Sequence, residues 1–70
     1  MDLEVDMAKT TAKTLLDRNC SNLNNLVDAL INLTEDKGYL VGKPGFEDSI
    51  SEINSLISRL RDRILQLANK

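Results

Sequence analysis

A chain of 70 residues with one Phe, one Tyr, no Trp and a formal charge of -2 describes one small domain, residues 1–70, with an aliphatic core. Helix interfaces accept such a core, whereas strands ask for more aromatic and β-branched residues, so an all-α fold is expected. No histidine and a single cysteine, Cys20, exclude an intrachain disulfide and an ordinary zinc site; no metal or other cofactor is expected, and the slight acidity disfavours a general nucleic-acid binder.

The opening Met1-Asp2-Leu3-Glu4-Val5-Asp6 is acidic where a secretory signal would be basic and then apolar. The longest apolar runs are too short to span a bilayer. A reducing, cytoplasmic setting with no membrane contact is therefore expected.

From about residue 2 to 37 the patterning is helical. Ala12, Leu16, Cys20, Leu23, Val27 and Leu30 follow at spacings of 4, 4, 3, 4 and 3, and Leu15, Leu26, Ile31 and Leu33 widen the stripe. Residues 19–25, Asn-Cys-Ser-Asn-Leu-Asn-Asn, are poor helix formers and good caps. Because Ser21, Asn22 and Asn25 fall mostly off the apolar stripe, one continuous helix is expected, with a kink or a break into two as the alternative. Cys20 itself reads as a small buried apolar residue.

Gly38 is expected to end this helix, with Lys37 complementing the dipole and Tyr39 folding back on Leu33. Residues 38–45 then form a connector, since Gly42, Pro44 and Gly45 interrupt regular structure. The segment looks superficially like a phosphate-binding loop. However, three residues instead of four separate Gly38 from Gly42, Pro44 replaces the Ser or Thr that would hold magnesium, and no strand precedes it.

The second helix, about 46–69, carries Phe46, Ile50, Ile53, Ile57, Leu60, Ile64 and Leu67 at spacings of 4, 3, 4, 3, 4 and 3, an unbroken heptad seam. Glu47 and Asp48 suit its positive end, and Ser49-Ile50-Ser51-Glu52 matches a capping box, which would move the start by about three residues. Burying the seam contributes at most on the order of 10 to 20 kcal/mol, and ordering the helix costs about 1.5 kcal/mol per residue, so it must lie against something.

A connector this short makes the two helices an antiparallel helical hairpin. Setting Asp36 opposite Glu47 puts Arg63 beside Cys20 and Leu67 beside Leu16. The first dozen or so residues then overhang, carrying Leu3, Val5, Met7, Ala8 and Ala12, while Leu15, Leu26, Leu56 and Leu65 flank an open face. Both features favour a homodimeric four-helix bundle. Its self-association surface would use Leu3, Met7, Leu15, Leu26 and Leu56 together with the seam residues Ile53, Ile57, Leu60, Ile64 and Leu67. Asp2, Glu4 and Asp6 would meet Arg59, Arg61 and Arg63 of a second subunit.

An enzyme is not expected. There is no histidine, Cys20 has no base within its own turn, and the carboxylates cluster at helix starts where capping explains them. Ser58-Arg59-Leu60-Arg61-Asp62 fits a Ser-x-x-x-Asp motif and over those five residues resembles the Spo0E-like aspartyl-phosphate phosphatases, short helical hairpins. That resemblance implies Asp62 acting on a response-regulator phosphate.

The expected function is that of an adaptor, regulator or inhibitor, phage- or plasmid-like in its small size, which binds itself and another protein. Tyr39, Lys43, Arg59, Arg61 and Arg63 are the candidate partner-binding residues, of the types that often dominate interfaces. Arg59 and Arg63 share a helix face and Arg61 points elsewhere. A nucleotide-like anion held between subunits by Arg59, Arg63, Lys43 and Tyr39 is an alternative. RNA or DNA binding through the arginines is another, weakened by the lack of interleaved aromatics.

Overall fold

The computed structural model describes residues 3–69, with side chains from Val5 onward. It contains α1 (Leu3–Asp17), α2 (Leu23–Leu40) and α3 (Glu47–Ala68), with no strand among the described residues. The chain is all-α, but the expected long first helix is two helices.

The break has a local cause in the Asn-rich segment. Asn19 takes φ 51, the left-handed conformation that Asn tolerates better than most side chains. Around it the Cys20 amide bonds the Leu15 carbonyl at 3.0 Å and the Asn19 amide bonds that of Leu16 at 3.2 Å. This is a Schellman closure with Asn in the usual glycine position. Three residues later Asn22 caps α2, its Oδ1 accepting from the Asn25 amide at 3.2 Å. The amides expected to lie on the wet side of one helix therefore end the first helix and start the next.

Reversal at residues 18–22 folds the expected overhang back as α1, so the chain itself covers apolar side chains for which a second subunit is the expected cover. Val5 and Ala12 are 3% and 0% exposed. They share one core with Leu26, Ala29, Leu33 and Leu40 of α2 and Ile53, Leu56 and Leu60 of α3.

Gly38 does not end α2, which continues to Leu40. The chain turns instead at Gly42, φ 88, after the Val41 amide has bonded the Lys37 carbonyl at 2.9 Å. At α3 the capping box goes unused. Phe46 is the N-cap residue, without a side-chain bond, and its carbonyl already accepts from the Ile50 amide at 2.9 Å. Ser49 thus lies inside the first turn, where its hydroxyl cannot act as the cap.

Contacts between helices fix their directions. Lys13 of α1 pairs with Glu52 near the start of α3, and Arg63 near the end of α3 reaches Asn19 and Cys20, just after α1. The helices α1 and α3 thus run the same way, and α2 runs opposite to both. The result is an elongated bundle of 41 × 18 × 16 Å.

Candidate functional site

The candidate residues divide between the two ends of the bundle. At one end Arg63 donates from Nε to the Cys20 carbonyl at 3.1 Å and from Nη2 to the Asn19 carbonyl at 3.0 Å. This is the Arg63–Cys20 neighbourhood expected from setting Asp36 opposite Glu47 across the connector. The guanidinium fork holds two carbonyls of the turn that follows α1. Arg59 and Arg61 are exposed on α3, so Arg63 is the member of the trio with an assigned structural task.

Tyr39 and Lys43 lie at the other end. The Lys43 ammonium sits 3.5 Å from the centroid of the Tyr39 ring, a cation–π contact at an exposed turn. Within one chain, then, Tyr39 and Lys43 are not brought together with Arg59 and Arg63.

Electrostatics also tie α1 to α3. Glu52 faces Lys13 and, at 3.6 Å, Lys9; Lys9 also meets Asp6 at 3.8 Å. The Lys13 hydrogen bond, with Lys9 nearby, holds the Glu52 carboxyl below its ordinary pKa against the opposing effect of partial burial. Lys9 is 7% exposed and has both carboxylates beside it, as an ammonium covered by protein needs. Asp6 thus has a cation in its own chain. The side chains of Asp2, Glu4 and Leu3 lie outside the described residues.

Among the side chains assigned to self-association, Leu26, Ile53, Leu56 and Leu60 are buried in the chain's own core. Leu15, Ile57, Ile64 and Leu67 are partly buried against it, while Met7 is 61% exposed. A different apolar row remains bare. Leu23, Val27 and Ile31, 42%, 38% and 49% exposed, recur every four residues along α2, and Leu65 of α3 is 56% exposed.

Helical geometry places that row. A groove of about 490 Å³ between α1 and α2 is lined by Met7, Ala8 and Thr11 against Ala29, Asn32, Glu35 and Asp36, so α1 packs on the Asn32–Asp36 side of α2. At 3.6 residues per turn, Leu23, Val27 and Ile31 project from the opposite side. On α3, Leu65 likewise lies opposite Glu52 and Arg63, the residues that reach α1 and its end. The α2–α3 layer therefore has one side covered by α1 and one side bare. In the sequence this row merged with the core stripe, since one continuous helix gave no reason to separate them; the signal was an apolar set on α2 too wide for one face.

The two ends differ in charge. Asp6, Glu35, Asp36, Glu47 and Asp48 gather where α1 and α3 begin and α2 ends, interrupted by Lys37 and Lys43. Arg18, Arg59, Arg61 and Arg63 gather at the other end, with Asp17 and Asp62 among them.

Ser58 and Asp62 are exposed one turn apart on α3, outside the groove. Among the described residues no group of three or more His, Cys, Asp or Glu is placed to hold a metal ion, and no helix is long and apolar enough to cross a membrane. No protein-family model, curated protein or solved structure matches the chain.

Proposed function

We propose that this chain is a small non-enzymatic binding protein that self-associates and engages a partner protein, as an adaptor, regulator or inhibitor. The observation that carries this reading is the bare row of Leu23, Val27, Ile31 and Leu65 on the outer side of the α2–α3 layer. Single exposed apolar residues are ordinary on a protein surface, but three in register along one helix, with Leu65 of α3 about a turn beyond Leu23, form an apolar stripe of the kind that marks interaction sites. Use of this side leaves Tyr39, Lys43 and Arg59 exposed for a second, different partner.

Sedimentation velocity over a concentration series tests the proposal, with Ile31→Asp as the variant. The expected result is association at micromolar to millimolar concentration that Ile31→Asp abolishes while the far-ultraviolet circular dichroism stays helical, because Ile31 is outside the core. A monomer throughout the series, for wild type and variant alike, refutes it.

A further inference from the structure

The bare side of the α2–α3 layer has two properties that suit it to a copy of itself. The first is spacing. Leu23 and Ile31 stand one turn to either side of Val27 on α2, so a two-fold axis through Val27 lays Leu23 of one copy on Ile31 of the other, as an isologous contact requires. Val27, the smallest of the three, then sits where the helix axes come closest, about 8–10 Å apart in packed helices.

The second is charge. Glu47 opens α3 at the Ile31 end of the bundle and, five turns before Leu65, shares its face of the helix. Arg61 lies alongside Leu23, because the Arg63–Cys20 bond sets the register between α3 and the start of α2. Reversing one copy against the other brings Glu47 of each toward Arg61 of its mate, a match repeated twice by the symmetry. The groove between α1 and α2 lacks this property. Its lining carries Glu35 and Asp36 and no cation, so it offers a mate no such match.

Resting on the self-association proposed above, we infer that the bare side binds a second copy of this chain in antiparallel fashion, α2 against α2 with Val27 on the axis. The helices α2 and α3 of both copies then form a four-helix inner layer, with each α1 on the outside.

Cross-linking across the axis tests this arrangement. In a Cys20→Ser background, Val27→Cys is oxidised at micromolar concentration, with Thr10→Cys on exposed α1 as the control. The expected outcome is a disulfide-linked dimer for Val27→Cys and none for Thr10→Cys. Arg61→Glu and Glu47→Arg should each raise the dimer dissociation constant by at least about tenfold, and the double swap should bring it back. Rescue within one chain is not an alternative, since Glu47 and Arg61 lie toward opposite ends of α3.

Association in sedimentation without a Val27→Cys cross-link, or without rescue by the double swap, overturns the antiparallel arrangement and leaves self-association standing. A chain monomeric to about 1 mM overturns both. Capture of a different protein by Val27→Cys, with no linked dimer, gives the face to another partner and equally overturns the second copy.

Discussion

Arg63 bonds the backbone carbonyl of Cys20 across 43 positions of sequence, Nε to oxygen 3.1 Å, joining the end of α3 to the turn that separates α1 from α2. A second bond to Asn19 uses the same guanidinium. One side chain therefore holds the chain reversal and sets the register of the layer beneath it.

Replacing Arg63 by Met keeps much of the stem's packing and removes both bonds. Hydrogen bonds from a charged donor contribute about 1.5 to 3 kcal/mol each where buried and less at a half-exposed site, so a loss of about 1 to 2 kcal/mol is expected in chemical denaturation. Amide exchange should accelerate most at the C-terminal end of α1. Arg63→Lys should recover only part of the loss, because an ammonium cannot present the planar fork.

Glu52 gives the bundle an acid-sensitive tie. Its pKa in the folded state lies below the ordinary 4.5, so its contribution is complete above that value and is lost as the pH falls through the lowered one. With the Glu52 side chain 40% exposed, screening keeps the effect below about 1 kcal/mol. Glu52→Gln should lower stability at neutral pH by that order and flatten the acid limb of a stability-versus-pH curve below pH 4.5. An acid limb unchanged by the substitution would show that the tie to Lys9 and Lys13 contributes nothing.

Two glycines should respond with opposite signs. Gly38 is inside α2 and a Cβ there meets nothing within 4 Å. Gly38→Ala should therefore stabilise by about 0.5 to 1 kcal/mol through helix propensity and a less free unfolded chain. At Gly42, φ 88, alanine is forced into the left-handed region, and Gly42→Ala should cost about 1 kcal/mol or more. Paired thermal melts decide both.

The two apolar faces of α2 can be separated by truncation. Leu33 is 0% exposed and Ile31 is 49% exposed. Leu33→Ala should cost about 2 to 5 kcal/mol, whereas Ile31→Ala should change monomer stability by no more than about 0.5 kcal/mol. Urea titrations at low protein concentration make the comparison; equal losses would mean that Ile31 is covered within the monomer.

Much of the fold was legible because helical period dominates the sequence. The heptad seam of α3 has one reading, and Ile53 and Leu60 at 0% exposed form its centre. The turn at Asn19 was harder to read, since an Asn in left-handed conformation and an Asn on the wet side of a continuous helix are the same letter. Choosing the continuous helix left Val5 and Ala12 without cover and assigned them to another subunit, when the chain itself supplies it. Gly38 misled for a related reason. Glycine lowers helix propensity but does not forbid a helix, and Gly42 takes the positive φ. The bare row on α2 could be found only after α1 had been placed, because a side chain's exposure depends on which of its neighbours is present.

Tyr39 is the sole tyrosine, there is no tryptophan, and its ring lies under Lys43 at the turn between α2 and α3. Intrinsic ultraviolet emission from this protein therefore reports the opening of that corner alone. Melting that begins at the opposite end, around Asn19 and Arg63, would pass unseen in fluorescence while far-ultraviolet ellipticity fell, and a mismatch between the two optical signals would reveal it.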